Sequence, residues 1–478
     1  MKKLGTCTNT YVGVTNRPSK LAYPGGASAN YLYFSNSGDK RLQQIKNLNN
    51  STNTSKQLIS QQDYTYDAEG EIKTWTKNYA GLAAPQRFDL GYDNADQLTT
   101  APLKNASTNA LIKQYTYGYD TASNRTSELV GTATTNSTPN NVNEITSQSG
   151  AKNRTLSYDV NGNMTSDGGT RTFEWDGANR LVAINYTGLT TRSEFTYDGL
   201  SRVAKIFEKT GATINSRRKF VWVGTEMVEF RDASDAVTQR NYRQGQYVGT
   251  TAYFYTRDHL GSIREMFTGG GTVVARYDYD PYGRSTTVLG TTPTDFNFTG
   301  LYRHAKSGLD LATYRAYDPD LGRWINKDPI AERGGLNLYA YVANHPLSGT
   351  DALGLEADTI EVIKSDGEFD GSNFLSHLIK HDIANKLLHL RSIDDGVAVH
   401  VTFRNVCPSD HPILVSSEAV PASVGSATKI GDNSVRVDVH TSLVVRAIGE
   451  YAVGGEIDLD RLTSHTQLRA KCKRKCSI

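Results

Sequence analysis

The stretch RTFEWDGANRLVAINYTGLTTRSEFTYDGLSRV, Arg171 to Val203, decides the fold. Two runs in it alternate in character, Arg171-Thr-Phe-Glu-Trp175 and Arg192-Ser-Glu-Phe-Thr-Tyr197. Alternation with period 2 puts successive side chains on opposite faces, which is the pattern of a half-buried strand. Each run ends in an aromatic residue followed by Asp, as Trp175-Asp176 and Tyr197-Asp198, and then by Gly, Asn or Ser. Asp hydrogen-bonds its own downstream backbone, and Gly or Asn accepts positive φ, so the chain turns there. The next strand opens on Arg180-Leu181 or Arg202-Val203. One unit is therefore a β-hairpin.

The same aromatic-Asp unit recurs along the first two thirds of the chain. It appears at Tyr66-Asp67, Tyr92-Asp93 and Tyr158-Asp159, each closed by an apolar residue, at Tyr119-Asp120, closed by Arg125, and as a later variant at Tyr279-Asp280. Spacings of 26, 27, 39, 17 and 22 residues between Asp67 and Asp198 mark a supersecondary repeat with variable loops. A lone hairpin is marginal in water, so the hairpins must stack edge to edge into a long sheet. Right-handed strand twist curls such a sheet.

Composition agrees. The 478 residues include 27 Tyr and 42 Gly, which suit pleated surfaces and turns. The net charge of +2 gives no global basic excess of the kind nucleic-acid binding calls for. Cys7, Cys407, Cys472 and Cys476 are too unevenly spread for a disulfide framework, and no second pair completes a zinc site with Cys472 and Cys476. No metal or cofactor is expected. No apolar run reaches the length of a membrane-spanning helix. The start, MKKLGTCTNTYVGVTNRPSK, has no apolar core of a signal peptide. Export is then expected by a leaderless route or as part of a longer polypeptide.

The repeats resemble the YD repeats of Rhs proteins, toxin-complex C subunits and teneurins. Tyr255-Thr-Arg-Asp258-His-Leu-Gly261-Ser-Ile-Arg264 and Val274-Ala-Arg-Tyr-Asp-Tyr-Asp-Pro-Tyr-Gly-Arg284 resemble the late part of that array. Tyr314 to Leu355 resembles the Rhs-associated core that closes it. The resemblance covers roughly Ala22 to Leu355. It implies a mainly β fold, a spiral sheet forming a partial cocoon, plugged by the core and followed by a variable C-terminal effector domain. The organisation expected is a YD-repeat shell over 1–297, a core or plug over 298–355 and a small α+β domain over 356–478. Implied partners are the chain's own C-terminal domain as cargo, a cognate immunity protein and secretion-system components. Nucleic acid enters only as an effector's substrate. The implied location is bacterial, made in the cytoplasm and delivered outward or to the cell surface.

The core carries Asp318 in Tyr-Asp-Pro, Asp328 in Lys-Asp-Pro and Asp351 in Asp-Ala-Leu-Gly-Leu. Paired carboxylates at short range can share one proton and activate water against a peptide bond. Cleaving members of the family use such an aspartyl pair to cut after the Leu of Asp-Pro-x-Gly-Leu. By that resemblance the scissile bond is Leu355–Glu356, and Arg315 and Asp328 match two of the site positions. The residue after Arg315, where the family often carries Asp, is Ala316. Asp318, on the same strand face, is the substitute to test. The competing reading gives these aspartates turn and cap roles before Pro and Gly.

From Glu356 the repeats stop, and seven of the ten His lie in this last quarter. Ser372 to Arg391 predicts an amphipathic helix with a Ser cap, carrying His377 and His381 on one face. Strands are predicted over Gly396–Phe403, Pro412–Ser416, Ser434–His440 and Ser442–Arg446. The helical histidines lack the Glu of H-E-x-x-H. His381, His400 and His440 are candidates for acid–base chemistry, with Arg404 and Arg436 for phosphate. The tail Arg469-Ala-Lys-Cys-Lys-Arg-Lys475 suits a phosphate backbone. Two classes of function stay open at this point. One is a polymorphic-toxin carrier with an effector released by aspartyl autoproteolysis. The other is a non-catalytic YD-repeat surface or interaction module with an inert C-terminal domain.

Overall fold

A computed structural model describes residues 4–15, 17–54, 57–290 and 292–355, followed by short strands between Asp358 and Arg469. The chain divides into two compact units, Met1–Val362 and Ile363–Ile478. In the first, three antiparallel sheets follow the chain in order, with nine, seven and fourteen strands. The first two exchange strands where the chain bends. Gln86–Asp89 and Leu103–Asn105 belong to the nine-stranded sheet, and Gly91–Tyr92 and Leu98–Thr100 to the seven-stranded one.

The repeat has a uniform turn. Asp176 Oδ1 accepts the backbone N–H groups of Ala178 and Arg180 at 2.9 and 3.0 Å, and Asp198 does the same for Leu200 and Arg202. Asp93, Asp120, Asp159, Asp258 and Asp280 repeat the pattern. Three residues after each Asp the backbone enters the left-handed region, as at Asn179 (φ 58°) and Ser201 (φ 61°). Two further turns of this kind, at Asn140 and Asp232, lack the aromatic residue and are invisible to a search for aromatic-Asp. Asn140 falls in the long gap between Asp120 and Asp159.

The aromatic residue latches one repeat to the one before it. Tyr197 Oη donates to the carbonyl of Leu181 at 2.7 Å, and Trp175 Nε1 to that of Met164 at 2.7 Å. Tyr92 reaches Ile72, Tyr119 reaches Leu98 and Tyr279 reaches Ile263 in the same way. Each acceptor is the apolar residue that closes an earlier turn. The motif needs a ring that packs and a polar tip that donates, which is why it reads Tyr or Trp. The register shifts by one residue beside these positions, as between Glu174 and Trp175 and between Thr196 and Tyr197. Such bulges add twist to a sheet that is already long.

The segment after residue 297 folds inward. Tyr302–His304, Leu309–Leu311, Ala316–Asp318 and Arg323–Trp324 form a four-stranded sheet of almost wholly buried residues. Tyr317, Trp324 and Tyr341 pack with the first sheets and the end of the third. Leu309, Ala316 and Ile325 pack with the middle of the third. The two main cores of the unit thus meet on this segment. Its polar side chains bind the turns: Asn337 donates to Asn124 and to the Ala122 carbonyl, and Asn344 to Gln97 and the Ser123 carbonyl. Tyr339 donates to the Gly162 carbonyl at 2.7 Å. His345 sits with Nε2 3.3 Å from Glu71 of a YD turn.

Strand Asp358–Thr359 pairs back onto Gly349–Thr350, which carries the first compact unit past Leu355 to Val362. In the second unit the described strands Val399–Thr402, Ile413–Ser417, Ser434–Val439 and Leu443–Ala447 lie where alternation predicts strands. They fall into two three-stranded sheets, completed by Ala427–Gly431 and Leu468–Arg469. The predicted helix over 372–391 lies outside the described residues.

Candidate functional site

Arg315 organises the site. It leads into the strand Ala316–Asp318, so its side chain shares a face with Tyr317. Tyr317 packs against Trp324, and the Arg315 guanidinium lies 4.4 Å from the Trp324 ring centroid. Held there, Nη2 reaches the Asp328 carboxylate at 3.0 Å and the Asp351 carboxylate at 2.8 Å. The same nitrogen donates to the Leu355 carbonyl at 3.2 Å, and Nε donates to the Gly354 carbonyl at 2.7 Å. Asp351 Oδ1 accepts the N–H groups of Gly354 and Leu355 at 2.7 and 2.9 Å. The predicted cleavage residue is therefore clasped from both sides. Its carbonyl faces a cation and its N–H faces a carboxylate.

All three charged residues are buried, with Asp351 at 2% exposure. Burial raises the Asp351 carboxyl above its ordinary range, against the opposing charge of Arg315 and the two backbone donors. Burial likewise works against the charge on Arg315, opposed by Asp351 and Asp328. The exposed Gly334 forms one wall of the site. A Cβ there would stand 2.3 Å from Asp328 Oδ2 and 2.8 Å from the Leu355 carbonyl oxygen. Asp328 and the Leu355 carbonyl thus both close on one point, and only a residue without a side chain leaves that point open.

The structure brings Arg315, Asp328 and Leu355, the residues the family resemblance singled out, together with Asp351. It does not bring Asp318. Asp318 and Ala316 share the opposite face of the strand, and Asp318 Oδ2 takes Arg171 Nη2 at 2.6 Å. An acid at position 316 would point the same way, so Ala316 removes no carboxylate from this cluster. Sequence reasoning chose Asp318 over Asp351 as partner and missed Gly334 and Trp324. The available signal was the spacing Asp351-x-x-Gly-Leu355, which lets a carboxylate cap the two N–H groups that follow it. Glu356, His381 and His440 lie outside the described residues. His400 stands in Val399–Thr402, paired with Asp438. Among the described residues no group of His, Cys, Asp and Glu is arranged to hold a metal ion, and no helix is long and apolar enough to cross a membrane.

Stacked aromatic-Asp hairpins, curled by bulges and closed by an inward-folded arginine–aspartate segment, define a YD-shell. The chain belongs to the teneurin YD-shell family, whose model matches residues 38–347. It is also similar to bacterial toxins. It is 29% identical over 238 residues to double-stranded DNA deaminase toxin A of Burkholderia cenocepacia (strain H111), covering 41% of this chain and 16% of that protein. It is 27% identical over 237 residues to tRNA nuclease WapA of Bacillus subtilis (strain 168), covering 46% and 10%. It is 32% identical over 117 residues to toxin subunit YenC1 of Yersinia entomophaga, covering 23% and 12%. Among solved structures, the TcdB2–TccC3 complex matches with a TM-score of 0.58 at 18% identity, over 73% of this chain and 20% of that one. That likeness establishes the fold. The chain spans less than a fifth of the length of these curated relatives.

Proposed function

We propose that this chain is the carrier part of a Rhs-type polymorphic toxin, with a C-terminal effector freed by cleavage of its own Leu355–Glu356 bond. One observation carries the reading. The Leu355 carbonyl accepts from the Arg315 guanidinium nitrogen that also holds the carboxylates of Asp328 and Asp351.

The chemistry follows from the placement. Asp328, beside the carbonyl, takes a proton from a water that attacks the Leu355 carbon. Arg315 Nη2 receives the charge that develops on the oxygen, as a fixed donor in a buried site does. Asp351, biased by burial toward holding a proton, supplies it to the departing nitrogen of Glu356. A carboxyl inclined to hold its proton, beside a second carboxyl, can divide acid and base roles in this way. The Asp351 cap and the Arg315–Gly354 contact hold the bond still, which is the orientation contribution.

The effector reading rests on the relatives, which are named for DNA deamination and tRNA cleavage, and on the basic tail of this chain. In this reading nucleic acid is the substrate, and His381, His400 and His440 are the residues to test for acid–base roles. A cognate immunity protein and a delivery apparatus are the partners such a carrier requires, and its destination lies outside the cell that makes it. The test is incubation of the purified full chain. The wild type splits into pieces ending and beginning at 355 and 356. Asp328→Asn stays whole. A wild type that stays whole under all conditions rejects self-cleavage.

A further inference from the structure

A buried lysine meets a partly buried carboxylate that an arginine also holds. Lys77 lies in Ile72–Tyr79 of the nine-stranded sheet, and Asp278 lies in Val273–Tyr279 of the fourteen-stranded sheet. They are 201 residues apart, yet Lys77 Nζ is 2.5 Å from Asp278 Oδ2. The Lys77 side chain is 3% exposed, and its Nζ sits 4.9 Å from the Phe88 ring centroid. Arg264 Nη2 donates to the other oxygen, Asp278 Oδ1, at 2.7 Å. The Asp278 carbonyl carbon is therefore flanked by an amine on one side and a guanidinium on the other.

The pair borders a cavity of about 360 Å³ that Asp280, Tyr279 and Glu128 also line. Asp280 lies two residues beyond Asp278, in the turn that follows the strand. Burial pulls Lys77 toward the uncharged amine and pushes Asp280 toward the un-ionised acid. Burial also works to raise Asp278, but the charges of Lys77 and Arg264 hold it low. The buried Lys77 ammonium carries a desolvation cost that a neutral amide would not.

We propose that Lys77 and Asp278 condense into an isopeptide bond joining the first sheet to the last. Lys77 first passes a proton to Asp278 Oδ2, which leaves a neutral amine beside a carboxylic acid. The Nζ lone pair attacks Cγ, and Arg264 stabilises the charge on Oδ1. The nitrogen then releases a second proton to the departing oxygen. The Nζ–Cγ bond forms, the Cγ–Oδ2 bond breaks and one water leaves into the cavity. No oxidant is consumed. The link would close a loop of about 200 residues, removing freedom from the unfolded chain as a disulfide does, without cysteine.

Intact-mass measurement of the denatured full chain, followed by peptide mapping, tests this. Both partners precede Leu355, so a cleaved preparation serves equally well. The expected result is a mass one water below that of the sequence, with a branched peptide joining Lys77 to Asp278. Lys77→Arg and Asp278→Ala should each restore the full mass. A wild type at full mass, with Lys77 in a linear peptide cut by trypsin, overturns the proposal. A water loss mapped to any other site overturns it as well.

Discussion

The Arg315 guanidinium stands 2.8 Å from the Asp351 carboxylate across 36 residues of chain, and that contact ties the end of the plug to its central strand. Asp351 thereby fills the position that an acid next to Arg315 could not reach. Asp351→Asn keeps an acceptor for the Gly354 and Leu355 N–H groups but loses the proton donor. The expected outcome is cleavage slowed by about 100-fold or more, the scale of one acid–base group. Asp318→Asn should cleave at the wild-type rate if it folds. Time courses on gels distinguish the two.

Gly334 separates fold from chemistry. Its side is exposed and its φ is not left-handed, so alanine is compatible with its backbone. The added Cβ would instead collide with Asp328 Oδ2 and the Leu355 carbonyl. Gly334→Ala is expected to block cleavage while leaving the melting temperature within a few degrees of wild type.

Asp310 gives the plug a pH dependence. It is fully buried, and burial lifts its carboxyl to about 7, against the opposing charge of Arg303, with Asp318 adding to the rise. Its ordinary value is about 3.9. The folded chain therefore holds a proton that the unfolded chain has released between these values. Stability from this group is present below pH 4 and is lost as pH rises to 7, at a slope of at most about 1.4 kcal/mol per pH unit. Unfolding midpoints measured from pH 4.5 to 8 should fall in wild type and fall less steeply in Asp310→Asn, whatever the variant's starting stability.

The latch between repeats has a measurable size. Tyr197→Phe keeps the ring and removes the hydrogen bond to Leu181, which should cost about 1 kcal/mol. Asp176→Ala removes the acceptor for two backbone N–H groups and for Arg180 Nε, and should cost about 2 kcal/mol. Denaturant titrations of the two variants give the comparison.

The repeats were legible because their chemistry is local. Asp176, its turn and its positive-φ Asn179 lie within four residues, and alternation in Arg171–Trp175 needs no partner to be read. The strands of the second unit were legible for the same reason. The turns at Asn140 and Asp232 were hidden because turn formation uses the Asx side chain and not the aromatic latch. The site was half legible. Arg315, Asp328 and Leu355 stand in recognisable motifs, but which carboxylate joins them depends on strand alternation turning Asp318 toward Arg171 and on the chain returning at Asp351. Gly334 matters only through what stands opposite it in space.

In the proposed reaction the shell cuts its own chain at the Leu355–Glu356 bond, beside Arg315, Asp328 and Asp351. Amino-terminal sequencing of whatever accumulates when the purified full chain is incubated tests it most directly. The expected result is one new terminus, beginning Glu356-Ala357-Asp358, formed at a rate independent of protein concentration and absent from Asp328→Asn. A persistent single chain, a terminus at another bond, or equal cleavage in Asp328→Asn would contradict it.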